Sequence, residues 1–412
     1  MIQARHRGEL RLLGGRAGRR QPARVRSWAP AAVSAAASVL VTVASLLIAR
    51  YDGFGVFGEF VAVQAIGVIL GIPMLWGVHV GASRAIAAGL PVGVVVGTAV
   101  GFVVLASAVT AAVYFGVLAV VGSGVLLWHA AGLGASAALL TLAESLLRIR
   151  GRQLLASGLR LGYGAAYLVA VVFVVGHGNA AGYAVLVVLG NTICALLMLG
   201  GMRFGRPDVG LARTFLREGW AYSTGQSLLA LLFGFDVILL VQAAGPAAVG
   251  VYALYVGSCR RVIGVLFTDS LASVLISVLA RRDAATGRRA VLRYAPRLLA
   301  LSVVGASALV VVGLVAADAL EHFVVGWMLL AAVGCTAHAL VVVLFCVFTV
   351  RPELGLGRVR VGLAVAFVPG LAVQAVGAAF GGAPGMIAAF TAANVVLAWW
   401  FLAVLSRGRR IR

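Results

Sequence analysis

Lysine is absent from the sequence, and acidic residues are scarce at 12 positions. Charged residues make up only 11% of the chain, hydrophobic residues make up 62%, and the mean hydropathy is +1.08. A soluble domain has about a quarter of its residues charged, so water cannot solvate a chain of this composition. The lipid bilayer must be its solvent. Each membrane passage takes roughly 20 residues. The twelve passages described below therefore leave only short connections and no room for a sizeable soluble domain.

Motifs for catalysis or metal binding are also missing. The four cysteines lie in apolar segments without ligand-like spacing, so neither a disulfide framework nor a metal site is indicated. The six histidines are scattered, and no HExxH motif, phosphate loop, nucleophile elbow or paired carboxylates are present. The sequence therefore predicts a protein that is not an enzyme and has no catalytic residue, metal or cofactor.

Long apolar runs fill most of the chain and predict an all-α polytopic membrane protein. A helix satisfies its own backbone hydrogen bonds in lipid, and these runs are too long and too evenly apolar for barrel strands. The twelve predicted passages are 29–49, 60–80, 91–121, 124–147, 158–176, 181–201, 220–242, 251–279, 297–317, 323–350, 360–380 and 384–405.

The distribution of arginine predicts the orientation of these helices. With the N-terminus inside, 30 of the 33 arginines fall in the cytoplasmic arm, the cytoplasmic connections and the C-terminal tail. Positive charge in short loops marks the cytoplasmic side, so both termini are predicted to be cytoplasmic. The clusters do not form one folded basic face, which argues against a nucleic-acid partner. Arginine without lysine is typical of a GC-rich bacterial gene, and we expect a bacterial plasma membrane.

An internal repeat divides the chain into halves. The sequence reads GFGVFGEF after the first predicted helix and GPAAVGVY after the seventh. The matched pairs, each 192 positions apart, are Gly53 with Gly245, Gly58 with Gly250 and Phe60 with Tyr252. Six helices separate the two segments, so the halves share one orientation. This predicts two six-helix lobes related by a pseudo-twofold axis along the membrane normal.

The repeat and the arginine clusters together predict the domain organisation. It comprises a cytoplasmic basic arm at 1–28, an N-terminal six-helix lobe at 29–201, a cytoplasmic interlobe linker at 202–219, a C-terminal six-helix lobe at 220–406 and a basic tail at 407–412.

Three segments resemble motifs of one transporter family: ARYDGFGVFGEFVAV after the first helix, Asp236 followed by an apolar run and VGVYAL, and GAPGMIAAF near the end. They are similar to polysaccharide-biosynthesis flippases, the O-antigen or teichoic-acid type exporters of the multidrug/oligosaccharidyl-lipid/polysaccharide (MOP) superfamily. The resemblance covers nearly the whole chain, although Phe54 stands where the family usually has proline. It implies two lobes around a cavity that alternates its access and moves a polyprenyl-pyrophosphate-linked oligosaccharide outward. The implied partners are this oligosaccharide, membrane lipids and glycan-assembly enzymes.

Charged residues inside predicted helices are the candidate site. A charge within a span costs roughly 2.5–3.5 kcal/mol on insertion scales, so it needs a cavity, a partner or an interface. A short turn joins helices seven and eight, which predicts that Asp236 lies at nearly the depth of Arg260 and Arg261. Adjacent arginines point about 100° apart, so Asp236 would pair with only one. The other either faces the cavity, where it could bind a pyrophosphate or an acidic sugar, or reaches outward to the interface.

Four further charged residues lie within or beside the predicted helices, and each has a functional or a structural explanation. Asp269, like Asp236, is a candidate for proton or cation coupling, or else a carboxylate at a helix end. Arg50 marks the outer end of the first helix and either contacts cargo or anchors the helix at the interface. Arg84 lies in a cytoplasmic connection, where it either meets incoming phosphates or only marks the inside. Glu144, four residues before Arg148, predicts a helical ion pair.

Two alternatives to the flippase remain open. A cation- or proton-coupled multidrug exporter of the same superfamily would use acidic cavity residues for cationic drugs. Asp236 and Asp269 are acidic residues within predicted helices and are consistent with this hypothesis. A membrane-embedded glycan polymerase or glycosyltransferase would need a long outer loop or a cytoplasmic catalytic domain. The predicted topology has room for neither.

Overall fold

The structure is a computed structural model, and it describes residues 29–121, 127–257, 259, 260, 300, 302–350 and 354–407. Helices make up nearly all of this part of the chain, and it contains no strand. The helices are α1 (Ala29–Tyr51), α2 (Gly53–Leu75), α3 (Val78–Ala87), α4 (Val92–Val121), α5 (Trp128–Ile149), α6 (Gln153–Val174), α7 (Ala180–Gly200), α8 (Val209–Tyr252), α9 (Ser302–Ala316), α10 (Val325–Val350) and α11 (Leu356–Arg407). A π-helical turn, Ala253–Gly257, continues α8.

Two of the long helices are hairpins of two passages. In α8 the Tyr252 hydroxyl lies 2.6 Å from Asp236, 16 residues earlier, although a straight helix would separate the two by about 24 Å. The chain reverses at Gly245, whose φ of 81° and ψ of 174° only glycine adopts readily. In α11 a Cβ on Gly377 would lie 2.6 Å from the carbonyl oxygen of Gly385, so a second reversal occurs at Gly382.

These reversals bring the structure into agreement with the predicted passages. Nine helical segments among the described residues are long and apolar enough to cross a membrane. The second limbs of the two hairpins and the shorter apolar helix α9 correspond to the other three predicted passages, of which the eighth is described only as far as Arg260. The all-α fold is confirmed, and the described residues contain all or part of each of the twelve predicted passages, with hairpin turns near Gly245 and Gly382 as predicted.

The second passage differs from its predicted bounds, and helix α8 begins at Val209, within the segment predicted as the linker. Helix α2 runs from Gly53 to Leu75 instead of 60–80, because the segment before Phe60 is helical and packs at Gly58 against Pro246 instead of forming an extended turn. The chain then breaks at Trp76 and Gly77, where φ is 44° and 68°. Within 202–219 only the first residues are extended, since the Asp208 carboxylate caps α8 by accepting a hydrogen bond from the Leu211 N–H at 2.8 Å.

The predicted repeat reappears as a reciprocal contact between the lobes. A Cβ on Gly58 would overlap the carbonyl oxygen of Pro246, and a Cβ on Gly250 would overlap that of Phe54. The offset of 192 converts the first pair into the second, as expected at a contact on a twofold axis. Gly53 and Gly245 share a left-handed φ as well, at 83° and 81°.

The third repeat pair makes equivalent aromatic contacts. The Phe60 ring meets the ring of Tyr183 on α7 edge-on at 6.0 Å between centroids. The Tyr252 ring meets that of Phe390, on the second half of α11, edge-on at 6.5 Å. These two partners belong to predicted passages six and twelve, which are the last of each lobe. The internal repeat therefore describes tertiary packing as well as sequence.

Other contacts join the lobes at the same end of the molecule. The Arg50 guanidinium lies 3.9 Å from the Asp318 carboxylate, and the Phe54 and His322 rings meet at 5.2 Å. Together with the glycine contact of Gly58 and Gly250, they form a closed rim, which is the outer end in the orientation that the arginines predict.

Candidate functional site

A cavity of about 350 Å³ lies between α2 and helices of the C-terminal lobe. Its lining comes from α2, both halves of α8, the segment that follows α8, and α10. Most of the lining is apolar, and its polar side chains are Gln64, Tyr252, Arg260 and His338. We call this space the C-lobe cavity.

Arg260 is held at the cavity wall by two groups of the preceding passage. Its Nη1 donates to the carbonyl oxygen of Phe233 at 2.6 Å and lies 3.8 Å from Oδ2 of Asp236. The same Oδ2 accepts a hydrogen bond from the Tyr252 hydroxyl at 2.6 Å, while Oδ1 accepts from the Val237 N–H at 2.7 Å. The predicted pairing of Asp236 with one arginine at similar depth is thus what the structure contains.

The two charges of this pair differ in their access to the cavity. The Arg260 side chain is 30% exposed, whereas the Asp236 side chain is 0% exposed and is absent from the cavity lining. A solute in the cavity therefore meets a guanidinium, and the carboxylate that balances it lies behind. A guanidinium can bind a phosphate or carboxylate through two parallel hydrogen bonds.

His338 completes the far wall. Its Nδ1 lies 3.1 Å from the Asn394 side-chain oxygen, and its ring meets the Phe233 ring edge-on at 4.7 Å. The imidazole is thereby fixed by α8 and α11 together.

A second cavity, of about 330 Å³, lies on the other side of α2. We call it the N-lobe cavity. Its polar side chains come from α1, α2, α6 and α7, and they are Ser38, Gln64, Arg160, Tyr163 and Asn191.

Arg160 repeats the arrangement found in the other lobe. Its Nε lies 3.5 Å from Oε2 of Glu144, whose Oε1 accepts from Arg148 at 2.6 Å. The Arg160 side chain is 33% exposed and lines the cavity, while the Glu144 side chain is 10% exposed and does not. The ion pair predicted between Glu144 and Arg148 is confirmed, but Glu144 also holds the arginine that faces the cavity.

The two cavities adjoin along α2 and extend away from the closed rim. Gln64 and Val68 line both of them. A third cavity of about 240 Å³ shares Val68 and continues to Gly77 at the opposite end of α2. All α2 residues that line these spaces lie beyond Gly58. In the predicted orientation, the arrangement is closed outside and faces inward.

The remaining predicted site residues lie away from these cavities or outside the described residues. Arg50 is at the closed rim, with its guanidinium 5.5 Å from the Tyr51 ring centroid. Arg84 is exposed on the short helix α3, outside the lining of the three cavities. Arg261 and Asp269 lie outside the described residues.

Several cavity residues were missed in the sequence, among them Arg160, Gln64 and Asn191. Arg160 was counted only as a cytoplasmic charge because its passage was predicted from 158, whereas α6 begins at Gln153 and places it two turns inside. Gln64 and Asn191 are single amides in apolar runs. Because an amide within a span needs a partner or a cavity, this pattern could have indicated that they line the site. In the described part of the chain, no group of three or more His, Cys, Asp or Glu side chains could hold a metal.

Comparison with known proteins identifies the fold. No family model and no curated protein matches the sequence. Solved structures do match: a MATE transporter of Vibrio cholerae, at 17% identity and a TM-score of 0.58, covers 93% of this chain and 95% of its own. A MOP superfamily transporter of Pyrococcus furiosus, at 14% identity and a TM-score of 0.55, covers 93% and 97%. An outward-facing multidrug resistance MATE family transporter, at 14% identity and a TM-score of 0.54, covers 93% and 97%.

These similarities confirm the predicted fold class and qualify the predicted family. The chain has the two-lobed fold of MATE-type transporters of the MOP superfamily. The finer resemblance to polysaccharide flippases gains no support, because the neighbours named above come from the MATE branch or from the superfamily in general. The chain is a multi-pass membrane protein with the fold of MATE-type transporters.

Proposed function

We propose that the protein is an alternating-access exporter of an amphipathic anion, with a lipid-linked oligosaccharide as the substrate class. The observation that carries this proposal is the charge of the cavity walls. The C-lobe cavity exposes Arg260 and the N-lobe cavity exposes Arg160, and in both the carboxylate that pairs with the arginine is buried. A diphosphate would find a hydrogen-bond donor of opposite charge here, whereas a cationic drug would meet repulsion.

The geometry also suits release of the anion. Arg260 already has two acceptors, the carbonyl oxygen of Phe233 and the carboxylate of Asp236. A bound diphosphate competes with Asp236 for the guanidinium, so the anion is recognised without being held too tightly. A transporter needs this balance because its cargo must bind both conformations and leave one of them. The lobes would then separate at the rim of Gly58 and Gly250 and close at the opposite end.

The polarity of the binding pocket is not the same in all structural neighbours of this chain. The report on the Pyrococcus furiosus transporter states that a reverse polarity of its binding pocket suggests a different function. The arginine-walled cavities of this chain are a feature of the same kind. The neighbours named above are transporters, which supports the prediction that the chain is not an enzyme.

The second candidate is a multidrug exporter, and the comparisons favour it. One neighbour is named as a multidrug resistance transporter, and the C-lobe cavity is largely apolar, as a site for hydrophobic drugs would be. In this case Asp236 would carry the coupling ion, and Arg260 would only balance its charge.

Transport by purified protein in lipid vesicles separates the two candidates. The first probe is a polyprenyl-diphosphate disaccharide with a fluorophore on the sugar, and the second is ethidium. We expect the protein to expose the first probe to dithionite, an impermeant bleaching agent, well beyond the outer-leaflet fraction. Ethidium movement should stay at the rate of empty vesicles.

Both assays are run with and without an imposed proton gradient, so that a coupled exporter is not missed. Variant Arg213→Gln, which removes an exposed arginine on α8 away from the cavities, should behave like the parent protein. Ethidium transport with no movement of the diphosphate probe would replace the first candidate by the second.

A further inference from the structure

An anion bound at Arg260 in the C-lobe cavity gives no role to the polar side chains that line the N-lobe cavity. Five polar side chains from four helices converge there, and they are Ser38, Gln64, Arg160, Tyr163 and Asn191. Hydrogen-bonding groups are unfavourable within the membrane unless they contact one another, water or a ligand. The question is whether helix packing alone accounts for them.

The hydroxyl groups of α1 show what packing does account for. The Ser34 hydroxyl lies 3.1 Å from that of Ser157 and joins α1 to α6. Thr42 and Ser45 donate to backbone carbonyls one turn back, at 2.8 and 2.9 Å. Ser38 belongs to the same stripe of the helix but lines the cavity. Packing therefore explains three of these hydroxyls and leaves Ser38 directed at the open space.

Asn191 also makes fewer hydrogen bonds within the protein than its side chain allows. Its Nδ2 lies 3.5 Å from the Ser136 hydroxyl, at the outer limit of a hydrogen bond. This is the one hydrogen bond of its side chain within the described part of the chain. An amide side chain can donate two hydrogen bonds and accept two, so Asn191 has capacity for a ligand.

Tyr163 presents an aromatic ring beside this amide. A Cβ on Gly190 would overlap the Tyr163 ring, so the missing side chain at 190 lets the ring lie against α7 next to Asn191. On the same helix as Tyr163, the Arg160 guanidinium is oriented by Glu144, with 3.5 Å between Nε and Oε2. The cavity thus combines an amide, a hydroxyl, an oriented guanidinium and an aromatic face.

We propose that the N-lobe cavity is the subsite for a hydroxyl-rich sugar ring of the cargo. Sugar hydroxyls both donate and accept hydrogen bonds, which matches this set of side chains, and the apolar face of a sugar stacks on an aromatic ring. This inference rests on the proposed function, because it divides the cargo between two lobes. The diphosphate binds at Arg260, and the adjoining glycan binds at Tyr163 and Asn191.

Free disaccharides test the subsite without the lipid diphosphate. Maltose, cellobiose, lactose and chitobiose are titrated separately against the protein in lipid nanodiscs, with saturation-transfer NMR as the readout. Maltoside detergents are avoided, since their head group is itself a disaccharide. We expect at least one sugar to bind with a Kd of about 10 mM or tighter. Asn191→Leu and Tyr163→Leu should each weaken its binding at least fivefold, the loss of about one net hydrogen bond or stacking contact.

Two matched variants make the result specific. Arg148→Gln removes the Glu144 partner that lies outside the cavity, and Arg260→Gln removes the anion site of the other lobe. Both should leave disaccharide binding within twofold of the parent protein. The subsite is refuted if none of the four sugars binds, or if Asn191→Leu and Arg148→Gln have equal effects. Sugar binding without diphosphate transport would refute the proposed function and leave the sugar site standing.

Discussion

Replacing Arg260 by glutamine should lower transport of the polyprenyl-diphosphate probe at least tenfold per folded protein molecule in the membrane. A hydrogen bond to a charged group contributes about 1.5–3 kcal/mol, and each 1.4 kcal/mol is a factor of ten. Substrate binding is weakened because, among the described residues that line the C-lobe cavity, Arg260 is the charged side chain. Initial flipping rates, normalised to reconstituted protein, measure the effect.

The control has to separate substrate binding from the loss of a buried ion pair. Arg260→Gln also leaves Asp236 unbalanced, and removing one partner of a buried pair is destabilising. The double variant Arg260→Gln with Asp236→Asn removes both charges, so its thermal stability should recover towards that of the parent. Its transport should stay low, because the anion site is still missing. If transport recovers with stability, Arg260 has only a structural role.

Adding one methyl group at Gly58 should also reduce transport at least tenfold. The new Cβ would overlap the carbonyl oxygen of Pro246, and neither backbone can give way without moving a lobe. The Gly58→Ala variant therefore disfavours the conformation with the closed rim. A change of about 5.5 kcal/mol is enough to convert a 99:1 equilibrium into 1:99, and a steric overlap between two helix backbones is of that order.

Gly55→Ala is the matched control for this prediction. It adds the same methyl group one turn earlier on the same helix, where a Cβ would meet no atom within 4 Å. A cysteine at Val61, which lines the C-lobe cavity, reports the conformation in a background without the four native cysteines. An impermeant thiol reagent outside should label it faster with Gly58→Ala than with Gly55→Ala. Equal transport and equal labelling in both variants would show that the glycine contact does not close the rim.

The sequence predicted those features that depend on local chemistry and on the bilayer. Gly53 and Gly245 occupy equivalent turns because each needs a left-handed φ, and such a requirement is visible in a repeat. Asp236 and Arg260 were expected at similar depth because one short turn joins their helices, and they form an ion pair. The passages could be counted because lipid demands long apolar runs.

The missed features depend on which face of a helix turns towards the cavity. Arg160 and Asn191 line the same cavity from α6 and α7, yet no spacing in the sequence relates them. Their convergence follows from the packing of four helices, which apolar periodicity does not fix when lipid and protein are both apolar. Arg84 was a candidate by its charge alone, and its placement on the exposed helix α3 removes it from the described cavities.

The charge preference of the cavity is the central claim, and equilibrium binding to the protein in nanodiscs tests it most directly. Geranyl diphosphate and geranyltrimethylammonium share one tail and differ in the sign of their head group. We predict that the parent protein binds the diphosphate at least tenfold more tightly than the ammonium compound, and that Arg260→Gln loses this preference. Tighter binding of the ammonium compound by the parent protein would contradict an arginine-walled anion site and would favour the drug exporter.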